Sequence, residues 1–308
     1  FFLFKEVLSV IYTICNSALT ACIDETGAQL ISLKDKNGTE YIWQRDPAVW
    51  SSCSPLLFPI IGNLRNGKTV IDGKTYEIPK HGPVRSLSFH LKEQGNEFVT
   101  LGVTDQDFPE GVYPYAFSFS ITYSLSGESL SFSVKIENPA ASPMAYCVGL
   151  HPAVCCPLFP GERFEDYEIR FPRPQQSGYR TFDLEHMQFD MTTERPCPGD
   201  GLRFSLSRDL FLSDALWFDR PSSREASLIH TKTGKGIRAE FPDFETIAFW
   251  TKPEDKARYL CFEPWNGSAP CSGEDDDFFH KNHLQKLSGG ASRTYRLRLT
   301  VLHENPYV

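Results

Sequence analysis

The feature that most constrains this chain is a succession of short alternating segments punctuated by tight-turn dipeptides. Asn37-Gly38 separates Ala28–Leu33 from Glu40–Trp43, and Asp72-Gly73 separates Thr69–Ile71 from Lys74–Ile78. Such dipeptides supply the positive φ angles that a two-residue hairpin needs. Around Gly127-Glu128 the alternation is clean: Phe117, Phe119, Ile121 and Tyr123 share one face, and Phe132, Val134 and Ile136 answer them. Side chains alternate in direction along a strand, so this pattern is a half-buried antiparallel pair, Phe117–Leu125 with Leu130–Glu137. Further strands are expected at Ile11–Thr13, Leu19–Ile23, Phe89–Lys92, Phe98–Thr104, Tyr167–Phe171, Ala215–Phe218, Ala226–His230, Gly236–Phe241, Thr246–Thr251, Tyr259–Phe262 and Arg293–Leu302. Only Asp276–Leu287 reads as a short helix. So many closely spaced strands predict an all-β fold, a large antiparallel sandwich in a single domain.

The bulk properties narrow the function classes. The net charge is -8 and no Lys/Arg cluster interrupts it, which argues against nucleic acid and anionic membranes as partners. No apolar run reaches the ~18 residues of a spanning helix. Nine cysteines are scattered without a Cys-x-x-Cys, mostly inside apolar runs. Free thiols in a reducing compartment follow, and hence a cytoplasmic location. Residues 1–10 read as a leader or disordered N-terminus ahead of one domain over 11–303. Lys5 and Glu6 interrupt the first apolar run with no basic segment before it, unlike a signal peptide. The proline-rich stretch Phe159 to Pro198 reads as an excursion that covers a site. Glu274–Asp277 lacks the alternating ligands and glycine of a calcium loop and reads as a solvated face. His280 and His283 are poorly spaced for a metal pair, and no metal site is expected.

Three residues in constrained settings are suited to acid–base chemistry. Glu263 lies between the strand-like run Tyr259–Phe262 and a Pro264-Trp265-Asn266-Gly267 turn. A partly desolvated carboxyl has a raised pKa and exchanges protons well, and the face of Trp265 suits stacking on the apolar side of a pyranose. A Glu before Pro is otherwise simply a capped turn. His151 ends an apolar strand and precedes Pro152, which holds it extended and aims the imidazole; a satisfied core histidine is the competing reading. His81 sits in the tight loop Pro79-Lys80-His81-Gly82-Pro83-Val84-Arg85, where a histidine commonly just caps a turn.

In order along the chain, Leu57-Phe58-Pro59-Ile60-Ile61-Gly62, Asp72-Gly73-Lys74-Thr75-Tyr76, His81-Gly82, Gly149-Leu150-His151-Pro152-Ala153 and Glu263-Pro264-Trp265-x-Gly267 resemble the aldose 1-epimerase (galactose mutarotase) superfamily, its LacX-like branch most of all. The resemblance spans about Ile11 to Leu302. It implies a β-supersandwich and cofactor-free interconversion of the α and β anomers of a hexose. It implies Glu263 as base, His151 as acid, and His81 as hydrogen-bonding the sugar near the ring oxygen. By position it makes Asp214 a hydroxyl-binding carboxylate, with Asp219 as competitor. The branch has Arg after Gly62, where this chain has Asn63; Arg65 is the candidate to take over that contact. Arg85 remains in its loop and has two readings: it pairs with a nearby carboxylate, or it joins Arg65 in holding the phosphate of a hexose 6-phosphate, the substrate of a related branch. A non-catalytic carbohydrate-binding protein is the remaining alternative. The partner implied is a monosaccharide, and the assembly a monomer or homodimer.

Overall fold

Two large antiparallel sheets carry the structure. The computed structural model describes residues 9–306; the expected leader falls on residues 1–8, outside the described residues, apart from Ser9 and Val10. The larger sheet has nine strands in the spatial order Arg203–Ser205, Tyr167–Arg170, Glu225–His230, Gly236–Glu240, Ser292–Leu302, Ser129–Glu137, Ser118–Ser126, Phe98–Thr104 and His90–Gln94. The alternation around Gly127-Glu128 folds as read. Phe119, Ile121, Tyr123, Phe132, Val134 and Ile136 are all buried, while the serines and threonines between them face outward. A smaller sheet carries Leu216–Asp219, Thr246–Trp250, Tyr259–Asn266, Val148–Leu150 and Leu56–Leu57, with Ala153–Cys155 pairing on the same central strand. A third sheet, Ile11–Cys15 with Leu19–Asp24 and Leu30–Asp35, packs onto the common core. The fold is thus the expected all-β sandwich in one domain. Among the described residues no helix is long and apolar enough to cross a membrane.

Three local expectations fail, each for a physical reason. Asp276–Leu287 is a short 3-10 turn, Phe278–His280, followed by the strand Gln285–Leu287. The side chain of Asp277 caps that turn and His283 takes φ +56°, which no helix interior tolerates. Glu40–Trp43 makes only isolated bridges, because the Glu40 carboxylate takes the N–H groups of Leu33 and Ile42. The acidic run is not wholly solvated: Glu274 turns inward and pairs with the equally buried Lys281 at 2.8 Å.

Candidate active site

Glu263 does not end its strand. Tyr259–Asn266 runs unbroken through Pro264, paired over Cys261–Trp265 with Thr246–Trp250. The interruption lies on the other side, where Pro152 separates Val148–Leu150 from Ala153–Cys155. Gly149 pairs with Trp265 and Ala153 with Cys261, so the register carries through the gap without slipping. His151 therefore stands directly opposite Glu263, and both side chains leave the sheet on one face. The result is a contact of 3.0 Å between His151 Nε2 and Glu263 Oε2, with side chains only 8% and 3% exposed. On the same face Ala248 sits opposite Glu263, and its small side chain leaves the space above the pair open.

The second histidine arrives on a loop whose backbone is tightly fixed. His81 adopts φ +64° and Gly82 φ +76°. The Gly62 N–H donates to His81 Nδ1 at 3.0 Å, while the His81 N–H donates to the Gly62 carbonyl at 2.8 Å. With Nδ1 occupied as an acceptor, the ring proton resides on Nε2, which is left as a donor. A Cβ on Gly82 would lie 1.8 Å from the Phe58 carbonyl oxygen. Gly82→Ala is therefore expected to cost about 2 kcal/mol or more, through both the clash and the positive φ. Urea unfolding measures that loss, and turnover should fall with it because His81 is displaced.

Burial dominates the electrostatics. It pushes the Glu263 carboxyl well above its usual range, Asp214 pushing the same way and Lys80 opposing. It pushes His151 down to about 3. Driven in opposite directions, the two groups hold one proton between them at neutral pH, and the pair carries no net charge. His81 is also held well below its usual range, first by burial and then by the positive charge of its neighbours, so it stays neutral.

The cavity above the pair has a volume of about 140 Å³. At about 30 Å³ per water it has room for roughly five waters. Glu263, His151, His81, Asp214, Arg85 and Trp265 all line it. Asp214 takes φ +63°, accepts the Ala215 N–H at 2.9 Å and receives the Trp250 indole N–H; burial raises its pKa. Its competitor Asp219 is engaged elsewhere, 2.7 Å from His283 Nε2.

Two expectations need correction. Arg65 lies outside the cavity, where it donates to the Cys271 carbonyl and faces the acidic run. Trp265 is only 4% exposed, its ring packed onto Gly149, so little of its face is open to stacking. The half-exposed rings are Trp50 and Trp250, centred 5.3 and 5.7 Å from the His151 ring. Nothing local in the sequence marked them. Lys80, beside His81, also lines the cavity, though the sequence reading did not single it out. Arg85 does not pair: among the described residues no carboxylate meets it, and burial alone lowers its pKa. Phe182, Met187 and Phe189, from the proline-rich excursion, form part of the wall as that reading anticipated.

This frame and site define a class of protein. A family model described as aldose 1-epimerase matches residues 10–287, and the chain belongs to that family. Its branch is LacX-like: the chromosomal protein LacX of Lactococcus lactis subsp. lactis is 34% identical over 278 residues, covering 88% of this chain and 93% of that protein. Among solved structures, a galactose mutarotase related enzyme from Lactobacillus acidophilus superposes with a TM-score of 0.87 at 27% identity, covering 96% of this chain and 99% of that one. A galactose mutarotase-like protein from Lactobacillus casei ATCC 334 gives 0.86 at 26% identity, covering 95% and 100%.

Proposed function

We propose that this chain is a cofactor-independent aldose 1-epimerase acting on a hexose. The observation that carries the reading is the buried His151–Glu263 pair, two proton carriers 3.0 Å apart on a cavity wall. Mutarotation moves protons at two oxygens bonded to a single carbon, the anomeric hydroxyl O1 and the ring oxygen O5. From the tautomer of the pair that has its one proton on His151, the Glu263 carboxylate takes the O1 proton while His151 delivers its proton to O5, and the C1–O5 bond breaks to give the open-chain aldehyde. Rotation about C1–C2 presents the other carbonyl face. Reclosure then runs both transfers backwards and restores the one-proton pair. One proton exchanged between two adjacent carriers suits a reaction that must run both ways. The His81 Nε2–H donates to the sugar near O5, Asp214 accepts from hydroxyls, and Trp50 offers its face to the apolar side of the ring. The nine free thiols fit a reducing, cytoplasmic setting, and a monosaccharide is the partner this chemistry needs.

Polarimetry of freshly dissolved α-D-glucose and α-D-galactose tests the proposal. Acceleration above buffer supports it, and a rate equal to buffer on both sugars, and on their 6-phosphates, overturns it. Saturable sugar binding without acceleration would instead mark a carbohydrate-binding protein.

One observation favours a second reading, a hexose 6-phosphate as substrate. Lys80 and Arg85 face a wall whose only carboxylate outside the neutral pair, among the described residues, is Asp214, which leaves one positive charge in excess. An anionic group on the sugar would balance it. If so, Arg85→Ala lowers kcat/KM for the 6-phosphate by about 10- to 100-fold, the worth of a charged hydrogen bond, while free hexose is nearly unaffected. Wild-type turnover of the phosphate then weakens with added salt.

A further inference from the structure

The proton transfers leave one neighbouring group unused. Cys261 lies two residues before Glu263 on the same strand, so its thiol leaves the sheet on the same face. His151 stands on the diagonal from it, and the residue opposite, Ala153, is too small to separate them. A ring nitrogen of His151, the Cys261 sulfur and a Glu263 carboxylate oxygen all lie within 4.8 Å of one another, and all three residues are buried. Among the described residues this is the one cluster of His, Cys, Asp or Glu with ligand atoms so close.

Imidazole, thiolate and carboxylate are the ligand types that zinc takes. With Zn–S about 2.3 Å and Zn–N about 2.0 Å, tetrahedral ligand atoms stand on the order of 3.5 Å apart. The His151–Glu263 contact of 3.0 Å is already near that span. From an upper limit of 4.8 Å the sulfur closes by no more than about 1.3 Å, which a small side-chain rotation supplies. His151 and Glu263 line the cavity, which gives the ion an entry path and leaves a fourth position open to water or a sugar hydroxyl.

We propose that His151, Cys261 and Glu263 form an inhibitory site for a thiophilic divalent cation, zinc, which silences the enzyme by occupying both of its proton carriers. Charge balances on binding. The ion displaces the thiol proton and the single proton of the pair to solvent, and thiolate plus carboxylate neutralise its two charges. No oxidation is involved. The site is built for reversible occupancy. A zinc-bound histidine ordinarily donates its other ring N–H to a partner, whereas His151 Nδ1 is buried without one.

The test uses the full chain stripped of metal with EDTA. Titration calorimetry with Zn²⁺ is expected to show one ion per chain, and Co²⁺ to give a thiolate-to-cobalt charge-transfer band. Cys261→Ala and Cys261→Ser, checked for folding by circular dichroism, should lose that band and weaken zinc binding by more than the roughly 10- to 100-fold that loss of an outer-shell partner costs. Both should keep wild-type mutarotation while escaping zinc inhibition, and EDTA should restore the zinc-treated wild type. Equal zinc affinity in the cysteine variants, or no thiolate band, overturns the site. Binding without inhibition overturns its regulatory role. The inhibition rests on the epimerase reading, but binding and the cobalt spectrum are read without turnover, so failure of one is distinguishable from failure of the other.

Discussion

Glu263→Gln should bring mutarotation down to the buffer rate and leave the fold at least as stable as wild type. The amide keeps the shape of the side chain and can donate to His151 Nε2, but it cannot accept the O1 proton. Loss of a general base costs about 10²–10⁴ in rate. The stability half follows from linkage. Burial raises the folded pKa of Glu263 above its ordinary value of 4.5. The unfolded chain therefore releases this proton first, and the buried carboxyl costs stability as pH rises from that value toward its folded pKa. Glutamine has no such cost. Thermal melts should show the variant equal to or above wild type at pH 7–8, with the gap closing in acid. Polarimetry on the same samples reads the rate. Full activity in the variant would remove Glu263 from the mechanism, and a markedly lowered melting temperature would mean the carboxylate is structural.

The strands were legible because their signals are local. Alternation between Phe117 and Glu137 and the turn dipeptides each depend on a few neighbouring residues, and they survive packing. The pairing of His151 with Glu263 is of another kind. It comes from a register that closes between strands distant in sequence, and from Pro152 breaking one strand opposite a Glu in the next. The sequence marked both residues as constrained but could not show them face to face. The same limit explains Trp265 and Arg65. A turn after Phe262 would have exposed the indole, whereas the strand continues to Asn266 and the ring packs on Gly149. Arg65 followed from the resemblance, as a stand-in for the arginine the branch has after Gly62, while in the fold it faces the acidic run rather than the cavity. Arg85 carried a local signal in its loop. That no carboxylate meets Arg85 among the described residues is a fact of tertiary structure.

His151→Gln tests whether the pair acts as a unit. Glutamine places an amide near the position of Nε2, so Glu263 keeps a hydrogen-bond partner, but no group remains to deliver a proton to O5. The rate is expected to fall by about 10²–10⁴ with little change in KM, because Asp214, His81 and the aromatic wall still hold the sugar. The pH profile gives a second reading. In wild type the one-proton pair persists from near pH 3, where His151 gains a second proton, up to the raised pKa of Glu263. Activity should therefore form a broad plateau, with no limb at the ordinary histidine pKa. A limb near 6.5 would show that His151 titrates as an exposed imidazole and that the pair does not share its proton. The double variant Glu263→Gln/His151→Gln decides the matter. Two carriers of one proton fail together, so the double variant should be about as slow as either single one. Losses that multiplied would mean that each residue acts independently, and the shared proton would have to be abandoned.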